Sequence, residues 1–73
     1  MEREVAVRCL RLPEVVRATA LRRSQLYALV KAGKFPSPIK LSERSSAWLL
    51  PEVEAWIADR IAASRAGTTQ EAR

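Results

Sequence analysis

The sequence contains no histidine and only one cysteine among its 73 residues. These residue types supply most transition-metal ligands and many of the acid–base and thiol groups of enzymes. No cluster of carboxylates takes their place. We therefore expect no catalytic residues, no metal site and no cofactor, and we predict that the chain is not an enzyme.

A lone cysteine also excludes a disulfide framework, so the composition fits a reducing compartment. Cys9 is expected to be a small, half-buried side chain. The N-terminal Met-Glu-Arg-Glu carries acids, and no apolar run is long enough for a signal peptide or a membrane span. These features predict a soluble cytoplasmic protein with one small core and no membrane partner.

Acidic residues are missing from one central stretch. Between Arg17 and Lys40 the sequence has six basic residues and no acidic one, in a chain of net charge +5. A segment so one-sided in charge favours a polyanionic partner. Tyr27 is the only aromatic residue expected to be exposed on this basic side, which argues against base stacking with single-stranded DNA or RNA.

Apolar periodicity and turn residues divide the first half into short elements. Alternation predicts a strand within Val5–Leu12, and Leu-Pro-Glu-Val then begins a short helix over Pro13–Ala18. A second helix is predicted over Arg23–Ala32, with Gly33 as its C-terminal stop. Its apolar face comprises Leu26, Leu29 and Val30. Two short helices with so brief a connection indicate a helix-turn-helix.

The second half predicts a hairpin and a longer helix. Strands Ile39–Leu41 and Ala47–Leu49 are joined by a polar tip, Ser42–Ser46, after a proline-rich turn that Phe35 is expected to underlie. The last helix is predicted over Pro51–Ala63. Its apolar stripe comprises Val53, Trp56, Ile57 and Ile61, and its exposed face carries Glu52, Glu54, Asp59 and Arg60. Trp48 and Trp56 are expected in the core.

The predicted fold class is mainly α with a small β-hairpin, namely a winged helix-turn-helix of three helices, a wing and a short N-terminal strand. We predict an N-terminal arm over residues 1–9, part of it in the strand, and the winged domain over residues 10–63. Residues 64–73, rich in Ser, Gly, Thr and Gln, are predicted to be a disordered tail.

Several motifs together carry a resemblance to a known family. They are Leu-Pro-Glu-Val, Leu-Arg-Arg-Ser-Gln-Leu-Tyr, Gly-Lys-Phe-Pro-Ser-Pro-Ile-Lys-Leu, Arg-Ser-Ser-Ala-Trp and Pro-Glu-Val-Glu-Ala-Trp-Ile. Over Leu10–Ala62 the chain resembles the AlpA family of phage-type regulators, which is similar to the excisionases and, more distantly, to the DNA-binding part of MerR regulators. The resemblance implies a protein of a prophage or other integrated element that binds double-stranded DNA through a winged helix-turn-helix.

Three functions stay open at this point. The resemblance implies a regulator of transcription of excision and integration genes, or else an excisionase, a recombination directionality factor that binds and bends attachment-site DNA. Under either function the protein would lie at the nucleoid, and an integrase is a candidate partner of the second. The third, a protein-interaction adaptor, would use the basic face to bind an acidic protein.

The resemblance also implies which residues contact DNA. The second predicted helix is then the recognition helix, which would enter the major groove. Its DNA-contacting residues are Arg22, Arg23, Ser24, Gln25, Tyr27, Ala28 and Lys31. On the wing and turn, with the wing in the minor groove, they are Lys34, Lys40, Arg44 and Ser45. Ala28 occupies a position that is often arginine in the family, so specificity is expected to rest more on the wing and on DNA shape.

Several of the helix residues have more than one candidate role. Arg23 is a candidate for guanine and Gln25 for adenine, each bidentate, whereas phosphate contact or a solvated face is the alternative for Arg23 and Lys31. Tyr27 either packs partly buried or reaches a phosphate. Ser24 is expected to cap the helix in place of Arg22, where the family commonly has serine.

On the wing, Arg44 also has an alternative role. Arg44 matches the wing arginine of the family and would be drawn to a narrow A·T-rich minor groove, the alternative being an ion pair with Glu43. Lys34 and Lys40 are expected to contact phosphates.

Because so small a monomer makes a limited interface with DNA, we predict cooperative binding to repeated sites, with neighbours touching through the N-terminal strand or the last helix.

Overall fold

Three helices and three short strands make up the computed structural model, which describes residues 8–67. In order, they are β1 (Cys9–Leu10), α1 (Leu12–Thr19), α2 (Arg23–Lys31), β2 (Ile39–Ser42), β3 (Ser45–Leu49) and α3 (Leu50–Gly67). This order confirms the predicted fold class, with α1 and α2 as the helix-turn-helix and β2–β3 as the wing. Both helices of the motif end within one residue of the predicted positions.

The start of α1 is fixed by its own acidic residue. The Glu14 carboxylate accepts a hydrogen bond of 2.8 Å from the Arg11 backbone N–H, and Pro13 lies in the first turn, where no N–H is needed. Glu14 also places a negative charge at the positive end of the helix dipole. The tetrapeptide Leu-Pro-Glu-Val therefore begins a helix here, as predicted.

A threonine closes the turn between the two helices. The Thr19 hydroxyl donates to the Val15 carbonyl at 2.8 Å and accepts from the Leu21 N–H at 3.2 Å. Between them Ala20 adopts a left-handed conformation, with φ of 63°. This conformation ends α1 and redirects the chain into α2 within three residues.

Gly33 ends α2 with a pair of backbone hydrogen bonds. The Gly33 N–H donates to the Val30 carbonyl at 3.0 Å, and the Lys34 N–H donates to the Leu29 carbonyl at 2.8 Å. This pairing is a Schellman motif, which requires a left-handed residue, and Gly33 has φ of 77°. The predicted role of Gly33 is thus confirmed.

The two left-handed residues predict opposite effects of exchanging alanine and glycine. Gly33→Ala should lower the free energy of unfolding by about 1–2 kcal/mol, because an alanine there is strained although its Cβ would meet no atom within 4 Å. Ala20→Gly should relieve similar strain, but glycine also gives the unfolded chain more conformational freedom. The free energy of unfolding should therefore rise by between zero and about 1 kcal/mol. Urea unfolding of both variants measures this difference, and equal destabilisation by the two exchanges would contradict it.

The strands form one antiparallel sheet in the order β1-β3-β2. Leu10 pairs with Trp48, and Ile39 pairs with Ala47. The β2–β3 register shifts between Lys40 and Ser42, which leaves Leu41 as an extra residue. The hairpin tip is therefore the two-residue turn 43–44 rather than the predicted five-residue turn 42–46, because the ladder continues past the bulge.

The core lies between this sheet and the three helices. Its buried residues are Leu10, Val15, Leu26, Phe35, Trp48 and Val53. The Trp48 indole donates to the Pro36 carbonyl at 2.8 Å, and the Trp56 indole donates to the Lys34 carbonyl at 2.7 Å. Trp56, partly buried, meets Phe35 edge to face at 4.9 Å. These bonds anchor the proline-rich turn to the core. The predicted placement of Phe35 and Trp48 in the core is confirmed, whereas Trp56 packs against the edge of the core.

Three further sequence-based expectations about the fold were wrong. Cys9 is exposed rather than half-buried, since strand alternation directs Leu10, not its neighbour, into the core. Ile61 is 45% exposed, because α3 runs on past the elements against which its first half packs. Residues 64–67, expected in a disordered tail, continue α3 to Gly67. The expected tail over 68–73 and the strand start within residues 5–7 lie outside the described residues.

None of the helices in residues 8–67 has the length and apolarity needed to cross a bilayer. That part of the chain also holds no group of three or more Cys, Asp or Glu side chains arranged to bind a metal ion.

Candidate nucleic-acid interface

The outer face of α2 carries the residues that were predicted to contact DNA. Leu26 is fully buried beneath it, and Leu29 and Val30 pack against the core. Positions four apart on a helix lie in one row, so Arg23 and Tyr27 continue into Lys31 on the outer side. The predicted residues of this helix, all of them exposed, are Arg22, Arg23, Ser24, Gln25, Tyr27, Ala28 and Lys31.

Gln25, not Ser24, closes the N-terminus of α2. Arg22 is the N-cap residue, and its backbone N–H donates to the Gln25 side-chain oxygen at 3.0 Å. The guanidinium of Arg22 cannot return a bond to the helix because it has no acceptor, so only this half of a capping box forms. The expectation that Ser24 caps the helix was wrong, since Ser24 lies inside the first turn.

This cap changes what Gln25 offers to a ligand. A bidentate contact to adenine uses both the amide oxygen and the amide nitrogen of glutamine. The Gln25 oxygen already accepts from Arg22, so adenine recognition would compete with the cap. Arg23 has no such engagement within residues 8–67 and keeps its whole guanidinium fork available.

The first turn of α2 is positively charged by its backbone as well as its side chains. The helical ladder begins with the Leu26 N–H donating to the Arg22 carbonyl at 2.9 Å, so the amides of residues 23–25 precede it. Arg22 and Arg23 add two charges at this end, and no acidic residue lies in the turn. The arrangement attracts anions, at some cost to the helix, for which a cation at this end is unfavourable.

Tyr27 joins the recognition helix to the wing. Its ring lies 6.5 Å from the buried Trp48 ring of β3, with a tilt of 55° between their planes, while 48% of the residue stays exposed. Tyr27 therefore packs on one side and is accessible on the other. The two roles weighed for it, packing and phosphate contact, are compatible in this geometry.

The wing carries its charges at and beside the tip. Arg44 occupies the exposed two-residue turn, and it forms no ion pair with Glu43 or any other residue of the described chain. The Lys40 ammonium donates to the Glu43 carbonyl at 3.0 Å, which holds the turn closed. Lys40 retains two further donors for a phosphate. Ser45, half-buried, pairs with Ser42 at the base of the turn.

Lys34 follows the end of α2 and has a fixed backbone. Its N–H and carbonyl are both used, by Leu29 and by the Trp56 indole, whereas its side chain is exposed. A lysine on so firmly held a turn can contact a phosphate with little ordering of the main chain.

Leu41 is a surface residue that the sequence reasoning missed. It is 49% exposed on β2, close to the wing tip, at the point where the register shifts. A bulge can redirect a side chain that simple alternation would place elsewhere. The sequence gives no sign of the bulge, since Leu41 fits the apolar pattern of an ordinary strand.

Acidic residues are sparse on this surface. Glu52, Glu54 and Asp59 are exposed on α3, whereas α2, the following turn and β2 contain none and the wing carries one, Glu43, at its tip. The mainly basic surface formed by α2 and the wing is therefore separate from the acidic face of the last helix. Such segregation suits a protein with one side on a polyanion.

Comparison with known proteins agrees with this geometry. Residues 8–61 match the family model described as Prophage CP4-57 regulatory protein (AlpA). The chain is also 45% identical over 60 residues to the uncharacterized protein ORF88 of Enterobacteria phage P4, covering 82% of this chain and 68% of that protein. No solved structure matches the chain. The match extends over both helices of the motif, the wing and most of α3. The chain thus belongs to the AlpA family of phage-associated, DNA-binding regulators of helix-turn-helix type.

Proposed function

We propose that the protein binds specific sites in double-stranded DNA and regulates transcription of the excision and integration genes of a prophage or other integrated element. The exposed row of Arg23, Tyr27 and Lys31, braced through Tyr27 against the wing that carries Arg44, is the observation that supports this most strongly. It offers a helix of the size that fits a major groove together with a cationic tip for the adjacent minor groove.

Arg23 is the residue assigned to base recognition. Its guanidinium is exposed near the start of α2, and arginine in that position can donate two hydrogen bonds to guanine O6 and N7. The Ala28 side chain has no hydrogen-bond donor or acceptor, so it suits close approach of the helix or contact with a thymine methyl group. Direct recognition therefore involves few bases, and DNA shape supplies much of the specificity.

Lysines and backbone amides position the protein without selecting sequence. Lys31, Lys34 and Lys40 contact phosphates, together with the amides at the start of α2. Arg44 enters the minor groove, where a narrow A·T-rich segment has enhanced negative potential. Because these contacts are largely ionic, affinity for a single site is modest and falls steeply as salt increases. The protein acts in the cytoplasm, at the nucleoid, and binds repeated sites cooperatively.

A second candidate is an excisionase that bends attachment-site DNA beside an integrase. Leu41 supports it, since an apolar side chain 49% exposed near a cationic wing tip is available to wedge between base steps in the minor groove. Such wedges kink the duplex. Regulator and excisionase would share one DNA-binding surface and differ in their target sites.

Affinity selection of host genomic fragments at about physiological salt, followed by footprinting of the enriched sites, tests both candidates. Enrichment of a promoter, such as that of an integrase gene, supports the regulator. Enrichment of repeated sites within an attachment region supports the excisionase, and a gel-mobility assay with circularly permuted fragments then measures the bend. Absence of enrichment over bulk DNA would overturn both and favour an adaptor with an acidic protein partner.

A further inference from the structure

The last helix borders two shallow grooves of opposite charge. The acidic groove is lined by Pro36, Ile39, Ala55 and Trp56 and flanked by Glu52 and Asp59. The basic groove is lined by Ala18, Trp56, Ile57 and Ile61 and flanked by Arg60 and Arg65. The lining of the first includes no basic residue and that of the second no acidic one. Each has a volume of about 510 Å³, which is room for a few side chains.

Trp56 separates the grooves and contributes to both. Its ring lies edge to face on Phe35, and the Arg60 guanidinium lies 5.9 Å from the centre of the same ring. The cation–π contact holds Arg60 on the basic side of Trp56. Asp59, the preceding residue, flanks the acidic groove. Two adjacent residues of α3 thus present opposite charges to opposite grooves.

The overhang of α3 gives the basic groove its apolar floor. Ile61 follows Ile57 by one helical turn on the stripe that packs against the core, yet it is 45% exposed because α1 ends at Thr19. The acidic groove also has an apolar residue at its edge, Ile39, which is 37% exposed. Both grooves therefore combine an accessible apolar contact with a charged flank.

We propose that the acidic groove of one copy docks against the basic groove of the next when the protein binds repeated DNA sites, an inference that rests on the proposed function. A contact between two copies of the same groove would bring two acidic or two basic flanks together, which charge repulsion disfavours. In a head-to-tail arrangement every contact pairs an acidic with a basic flank, and a copy with a neighbour on each side has both of its grooves covered. A foreign partner of one charge would complement only one of the two grooves.

The contact is weak in free solution and effective on DNA. Grooves of this size support an interface below the range of stable dimers, so the free protein is a monomer. Neighbouring sites on one duplex raise the effective concentration of the second copy to about the millimolar range, which is enough for a weak contact to act. We expect about tenfold cooperativity between two correctly spaced sites, within the usual range of coupling between sites.

Exchanging the charges tests the polarity of the contact. Asp59→Lys and Arg60→Glu should each remove the tenfold cooperativity on a duplex carrying two copies of the footprinted site. An equimolar mixture of the two variants should restore it, because every junction between unlike variants again pairs a basic with an acidic flank. Glu54→Lys makes the same charge change as Asp59→Lys on the exposed side of α3, outside both grooves, and should leave cooperativity unchanged.

Duplexes with a single site and thermal unfolding provide the internal controls. All three variants should remain folded and bind the single site selectively. Cooperativity that survives in either groove variant, or that the mixture fails to restore, would overturn the inference. A parent chain that binds single sites selectively but shows no cooperativity would overturn this inference alone. A parent that selects no duplex would overturn the proposed function and this inference with it.

Discussion

Alanine at both Arg23 and Arg44 is expected to lower affinity for a single-site duplex about 30-fold or more while leaving the fold intact. A bidentate arginine–guanine contact contributes about 1–3 kcal/mol, and a minor-groove arginine gains from the enhanced potential there. Both side chains are exposed and without partners in the described chain, so their removal leaves no buried group unsatisfied. Fluorescence anisotropy titrations at fixed salt, with thermal unfolding alongside, measure both quantities.

Two further variants separate specific recognition from charge. Arg8→Ala removes one exposed charge beside β1, outside the proposed surface, and should change single-site affinity several-fold less than Arg23→Ala. Arg23→Lys keeps the charge but loses the planar fork, so it should relax sequence preference more than it lowers affinity for bulk DNA. Equal losses in Arg8→Ala and Arg23→Ala, or full selectivity in Arg23→Lys, would contradict the assignment of Arg23.

Trp48→Ala should have the largest effect on stability, a loss of about 3–5 kcal/mol. Trp48 is 2% exposed and is central to the core, with its ring beside Tyr27 and its indole bonded to Pro36. A chain of this length has a free energy of unfolding of about 4–11 kcal/mol, so the loss is a large fraction of the total. The unfolding midpoint should fall by more than about 10 °C, as measured by circular dichroism.

Trp48→Phe divides this effect between packing and hydrogen bonding. Phenylalanine keeps an aromatic ring in the core but leaves the Pro36 carbonyl without its 2.8 Å donor. The expected loss is about 1–3 kcal/mol, smaller than that of Trp48→Ala. Because the bond anchors the turn between α2 and β2, DNA affinity measured well below the midpoint should also fall. A Trp48→Ala protein as stable as the parent would contradict the central place of this residue.

The helix-turn-helix could be predicted because its signals are local. The apolar residues of α2 and the glycine that ends it lie within about a dozen residues of one another, and the structure places both as expected. The same spacing on α3 was misleading at Ile61. Periodicity shows which side of a helix faces its neighbour, but it does not show where that neighbour ends. The length of α1, not the sequence around Ile61, leaves this side chain exposed.

The surface of the site was easier to predict than its hydrogen bonds. All the predicted recognition-helix residues are exposed, because Leu26, Leu29 and Val30 mark the side of α2 that packs on the core and the predicted residues lie outside that stripe. The capping bond of Gln25 was missed, although glutamine three residues after the N-cap position is a known signal for it. The hydrogen bond from Lys40 to the Glu43 carbonyl spans the bulge between Lys40 and Ser42, which the sequence pattern did not predict. Such pairings depend on three-dimensional positions that composition and spacing leave open.

The most direct test of the central claim, that α2 and the wing form the DNA-binding surface, is an NMR titration of the labelled protein with a selected duplex. Amide shifts should change most over residues 22–31 and 43–45, whereas the exposed face of α3 around Glu54 should stay unchanged on a single-site duplex. A titration in which the amides of α3 shift and those of residues 22–31 do not would contradict the account, since the DNA would then lie on the acidic side of the protein.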